Sequence, residues 1–180
     1  MKNLQFAITQ CALVALCALA SLLVSSSASA RGVYQEPGAF LGQAFGQSPP
    51  EPKMLWLSQE QQVAAARILG HGYAALRVRY WLRDGRSAWV LDEIGKEQPI
   101  TIGVVIEQGK VESVRVLEFR ESRGDEVRHA FFTKRFQGAG LDRQWLLNRQ
   151  IDNITGASMS VRAVTKVVNL ALYFHEQVRG

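Results

Sequence analysis

The chain is nearly without cysteine. Its two cysteines, Cys11 and Cys17, both fall in the first thirty of 180 residues. Once that segment is removed, a disulfide scaffold and a thiolate-held metal or iron–sulfur site are both excluded. Histidine is scarce too. His71, His129 and His175 stand far apart, and His175-Glu176 lacks the second histidine of H-E-x-x-H. There is no G-x-S-x-G nucleophile elbow, no P-loop ahead of Gly95-Lys96, and no G-x-G-x-x-G after a strand. Arg123-Gly124-Asp125 spells an adhesion tripeptide, a match short enough to arise by chance. The formal charge is only +5 and the charges are interspersed. No basic run carries interleaved aromatics, so nucleic acid is not an expected partner.

The first thirty residues have one charge, Lys2. Phe6 to Val24 is almost wholly apolar, and Ala28-Ser29-Ala30 is a small-x-small cleavage pattern. This predicts a signal peptide over 1–30, cleaved before Arg31. An uncleaved anchor is the competing reading, since the run approaches spanning length. Lipid attachment at Cys17 is disfavoured by Leu16, where a small residue is needed. Loss of Lys2 takes the formal charge from +5 to +4.

Residues 31–55 are rich in Gly, Pro, Gln and Ala and predict an irregular arm. Residues 56–180 then form the domain. Ser58 and Gln61 have capping-box spacing at the head of a helix that ends at Gly70 or Gly72. From Ala75 the period changes to two. Leu76, Val78, Tyr80 and Leu82 share one face, and Arg77, Arg79, Trp81 and Arg83 the other. Asp84-Gly85 signals a hairpin, followed by strands over 87–94, 100–107 and 111–120. Gly103, alone in a strand, marks close packing or a bulge. Residues 121–142 are a long charged loop with Phe131, Phe132 and Phe136 as an apolar spine. From Ser160 a period of 3.6 places Val161, Val164, Val168, Ala171, Leu172 and His175 on one stripe, with Asn169 and Tyr173 off it. His175 on that stripe is expected to be a satisfied core histidine. The expected fold class is α+β: a single domain with an antiparallel sheet meander flanked by an N-terminal and a C-terminal helix.

Small hydrogen-bonding residues crowd into 151–164, IDNITGASMSVRAV. One reading is a helix start capped by Thr155 or Ser158, with Gly156-Ala157 allowing a tight entry. Another is a glycosylation sequon, Asn153-Ile154-Thr155, in an exported chain. Neither accounts for Asp152 and the whole spacing.

Asp152-x-x-Thr155-Gly156-Ala157-Ser158-x-Ser160 resembles the flavinylation motif of the FMN-binding domain family. That family includes the periplasmic flavin subunits of Na⁺-pumping NADH:quinone oxidoreductase and of Rnf complexes, and short stand-alone exported proteins. The likeness extends to 89–96 (WVLDEIGK), 99–101 (PIT), 116–124 (VLEFRESRG) and 136–141, and covers about 80 to 175. The resemblance implies FMN held covalently through a phosphoester at Ser158, with Asp152, Thr155, Gly156 and Ala157 in the motif. It also implies Arg120, Glu121, Arg123 and Gly124 as cofactor-binding residues. Where the family usually has Thr, this chain has Ser158. Serine offers the same Oγ, and Ser160 is a secondary acceptor.

The resemblance further implies attachment by a separate Mg²⁺-dependent flavin transferase, which moves FMN from FAD to the hydroxyl. Trp89, Phe119, Phe131, Phe132 and Trp145 are candidate walls for the ring. Arg120, Arg123 and Arg128 are candidate partners for the phosphate or reduced flavin. Two functions follow. The first is a periplasmic electron carrier in a membrane-linked redox chain, with a membrane or soluble redox partner. The second is a non-redox envelope-interaction module that kept the fold without flavin.

Overall fold

In the computed structural model, residues 32–46 and 48–179 are described. The predicted signal peptide, its cleavage point before Arg31, Cys11 and Cys17 lie outside them. The order is α1 (Pro37–Phe45), β1 (Lys53–Trp56), α2 (Gln59–Leu69), β2 (Arg77–Arg83), β3 (Arg86–Ile94), β4 (Pro99–Glu107), β5 (Lys110–Phe119), α3 (Ala130–Thr133) and α4 (Ser158–Val178). Short 3₁₀ turns at Asp125–Arg128 and Lys134–Phe136 flank α3.

The strands form one antiparallel sheet in chain order, β1-β2-β3-β4-β5. Two of its hairpins follow from left-handed residue pairs. Asp84 (φ 50) and Gly85 (φ 78) join β2 to β3, and Gln108 (φ 51) and Gly109 (φ 73) join β4 to β5. Positive φ at both loop positions matches the twist of the flanking strands. The sheet thus bears out the α+β expectation, with one strand more than the sequence showed: β1, a short and largely exposed edge.

The arm is not irregular throughout. Its glycines and prolines hide α1, which Pro37 starts. Phe40, Leu41 and Ala44 form an apolar stripe that packs with Ala88, Val105 and Leu117 on the back of the sheet. A helix this short is marginal alone and depends on such packing. Gly103 makes room for it: a Cβ there would lie 2.7 Å from Phe40 Cζ. With α1 behind and α4 in front, β4 is buried at every position from Ile100 to Ile106.

The front face carries the larger core, built from the sheet, α2, the 121–142 segment and α4. α2 has the expected capping box and ends at Gly70 in the left-handed conformation. α4 starts at Ser158, not Ser160, and is buried almost all round. Asn169 and Tyr173, placed off the stripe by periodicity, are 6% and 5% exposed. The cause is that α2 packs beside α4 while the sheet lies beneath it.

His175 is 1% exposed. Ser87 Oγ is hydrogen-bonded to its Nδ1 (2.8 Å) and accepts from Trp89 Nε1 (2.8 Å). Burial, then the nearby Arg179, pushes its pKa down to about 4, so it is neutral at pH 7. It is the satisfied core histidine that its position predicted.

Candidate functional site

The head of α4 lacks the side-chain cap expected there. Its N-cap is Ala157, no side chain caps it, and Ser158 is the first helical residue rather than the cap. Thr155 is exposed in the preceding turn. Val161 N–H donates to the Ala157 carbonyl at 2.9 Å, so the ladder begins only there. The N–H groups of Ser158, Met159 and Ser160 are left for an outside acceptor, at the positive end of a 21-residue helix. Gly156 turns the chain into this start at φ +87. A Cβ there would meet nothing within 4 Å, so backbone conformation and not crowding selects glycine.

The Ser158 Oγ accepts a hydrogen bond from Asn153 Nδ2 (2.7 Å), and Asn153 Oδ1 accepts from Ile154 N–H (3.0 Å). The sequon asparagine is therefore tied to Ser158. Ser158 is half-buried and Ser160 is 3% exposed, which makes Ser158 the accessible hydroxyl.

The facing wall is the segment after β5. Gly124, at φ +90, presses on the helix start: a Cβ there would lie 2.5 Å from Ser160 Oγ and 3.4 Å from Ala157 Cα. Glu121 latches the β3–β4 loop. Its Oε1 accepts from the backbone N–H groups of Lys96, Glu97 (2.6 Å) and Gln98 (3.0 Å). Burial raises the Glu121 pKa, but these three donors and the Lys96 charge outweigh it, and the net value falls below the ordinary carboxylate. Gly95 permits the contact, since a Cβ there would lie 2.8 Å from Glu121 Oε1.

Between these walls lies a cleft of about 590 Å³, lined by Lys96, Glu97, Glu121, Ser122, Arg123 and residues 156–160. Its volume is in the range of small-molecule sites. Lys96 and Arg123 give it two cations, and among the described residues no ion pair engages Arg123. Lys96 reaches only the exposed Glu97 (3.3 Å), a pair worth little in water.

The structure therefore brings Ser158, Gly156, Ala157, Glu121 and Arg123 into one cleft, with Gly124 packed behind it. It places Arg120 in a neighbouring cleft, bound to the Pro99 carbonyl (3.2 Å), Thr101 Oγ1 (3.1 Å) and Glu118. Asp152 and Thr155 lie outside both clefts. The Asp152 side chain is 82% exposed, and Arg135 donates to its carbonyl (3.2 Å). Arg128 pairs with Asp125 (3.1 Å). None of the five proposed aromatic walls lines the Ser158 cleft. Trp89 and Phe132 are fully buried in the core, Phe131 and Trp145 are exposed, and Phe119 lines the neighbouring cleft. Lys96, Ser122 and Met159 are lining residues that motif reasoning passed over. The family likeness took in Lys96 within 89–96 and Ser122 within 116–124 without assigning either to the site.

Among the described residues, no group of three or more His, Cys, Asp or Glu could hold a metal ion. No described helix is long and apolar enough to cross a membrane. No curated protein and no solved structure matches the chain. Residues 95–173, the span that runs from the latched loop through the facing wall and into α4, match the family model of the FMN-binding domain: the chain carries a domain of that family and is a flavin-binding protein.

Proposed function

We propose that the chain is an exported flavoprotein that holds FMN through a phosphoester to Ser158 Oγ and relays electrons between redox partners outside the cytoplasm. The observation that carries this reading is the uncapped start of α4. It puts one accessible hydroxyl beside three unpartnered N–H groups, in a cleft that also holds Lys96 and Arg123. A phosphate at a helix N-terminus is bound by such N–H groups and by the dipole. The residues therefore fit the phosphate end of FMN.

Attachment forms a Ser158 Oγ–P bond as the pyrophosphate bond of FAD breaks, and AMP leaves. The side chain hydrogen-bonded to Ser158 Oγ is an amide donor, Asn153, and not a base. The hydroxyl proton accordingly goes to a base on a separate flavin transferase. Once attached, the phosphodiester would be held by the N–H groups of Ser158 to Ser160, with Lys96 and Arg123 offsetting its charge.

FMN accepts electrons in pairs and releases them singly, which suits a carrier between a reductase and a one-electron acceptor. Covalency fits the export suggested by residues 1–30. A nanomolar complex, at about −12 kcal/mol, still dissociates where free flavin is scarce. A phosphoester does not.

Intact mass, measured on protein exported from cells that also make a flavin transferase, tests this. The expected gain is FMN less one water, and it disappears in Ser158→Ala. An unmodified mass in the parent protein would leave the non-redox envelope module as the better account.

A further inference from the structure

A second cleft, of about 500 Å³, adjoins the first and shares Glu121 and Ser122 with it. Its remaining lining is Gly32, Tyr34, Phe119, Arg120 and Asp125. Two of these come from the N-terminal arm, outside the stretch 95–173 that matches the flavin-binding family.

The arm is docked by a two-hydrogen-bond bridge to the sheet and by a cation–π contact. Val33 forms a bridge with Glu118 on the edge strand β5. Phe119 N–H donates to the Gly32 carbonyl (2.7 Å), and Tyr34 N–H donates to the Leu117 carbonyl (2.8 Å). The Leu117 carbonyl and Phe119 N–H are free for the arm because β5 is an edge strand of the sheet. The Arg128 guanidinium stacks 4.6 Å from the Tyr34 ring centre and is itself held by Asp125. Position 32 admits only glycine: at φ +97, a Cβ would fall 1.8 Å from the Phe119 carbonyl oxygen. Further along, Phe40 seats the arm on Gly103.

We infer that the arm completes the flavin site: Tyr34 forms an aromatic wall for the isoalloxazine ring, next to the phosphate cleft at Ser158. This rests on the flavin reading, and it supplies what the first cleft lacks, since no aromatic side chain lines that cleft. A planar heteroaromatic ring stacks on an aromatic side chain held at a cleft wall. Tyr34 is 41% exposed yet pinned on its backbone and on one face, so a ring face is available without an ordering cost. Arg120 lies in the same cleft, and beyond its bonds to Pro99, Thr101 and Glu118 it keeps one Nη2–H and its Nε–H as donors.

Lumiflavin, which has the ring but neither ribityl chain nor phosphate, separates this subsite from the covalent one. It is titrated against the unmodified protein while quenching of its fluorescence is followed. Tyr34→Ala weakens binding about tenfold, and Tyr34→Phe, which keeps the ring face, stays within about twofold. Gly32→Ala, which lifts the arm, weakens it as Tyr34→Ala does. Equal affinity in the parent and Tyr34→Ala proteins, or no quenching by the parent, overturns the inference. The Ser158 attachment stands or falls separately, on intact mass.

Discussion

Two helix starts in this molecule are built in opposite ways. At α2, Ser58 Oγ accepts from Gln61 N–H (3.2 Å) and Gln61 Oε1 accepts from Ser58 N–H (2.9 Å), so the end is closed by its own side chains. At α4, the residue at the cap is alanine, and no side chain turns back. The closed end gains stability locally. The open end forgoes that gain, typically about 1 kcal/mol, and keeps its N–H groups for a ligand. An uncapped start on the longest described helix, facing a cleft with two cations, is the mark of a binding site rather than of a poor sequence.

The contrast breaks most visibly at Ser158. Ser158→Ala is expected to remove all attached flavin while leaving the fold intact, since the residue caps nothing. Ser158→Thr, which restores the usual acceptor of the family, keeps it. Intact mass and a thermal melt distinguish the two effects.

The other end of α4 supplies the next largest effect, because it carries a buried histidine. His175 is buried and neutral, with a folded pKa of about 4 against an ordinary 6.5. Below pH 6.5 the unfolded chain takes up a proton that the folded chain refuses. Stability contributed by this group is therefore complete above 6.5 and lost as pH falls through 4. The loss approaches roughly 3 kcal/mol. Denaturant melts from pH 7 to 4 measure it, and His175→Gln flattens the slope in that window.

Gly124→Ala sharpens the comparison from the facing wall. A Cβ at φ +90, 2.5 Å from Ser160 Oγ, costs roughly 1–3 kcal/mol and pushes the open helix start away from its partner segment. Melting and the yield of flavinylated protein fall together. The smallest effect belongs to the closed end. Ser58→Ala costs about 1 kcal/mol and leaves flavin content unchanged.

The same contrast explains what could be seen in the sequence. The α2 box was legible because Ser58 and Gln61 are three residues apart, and a cap is a local event. The Asp84-Gly85 hairpin was legible for the same reason, and so was the crowded motif at 152–160. The site's walls were not. Gly124 meets Ser160, and Glu121 meets Lys96, across separations that no local pattern encodes. The family resemblance grouped these segments without saying how they touch. It also put Asp152 and Thr155 in the cofactor set, whereas the fold leaves both outside the clefts. α1 was hidden because its neighbours are glycine and proline, and because its stability comes from Phe40 seated on Gly103. The aromatic candidates failed where side-chain type was taken for side-chain place: Trp89 and Phe132 serve the core.

The account turns on an open helix start that carries its ligand at the first helical residue. Fragment mapping of the flavinylated protein by tandem mass spectrometry tests that most directly. The account predicts the added FMN mass on Ser158 alone, with Ser160 and Thr155 bare. Flavin on Ser160 or Thr155, or none on any fragment from 152 to 162, would contradict it.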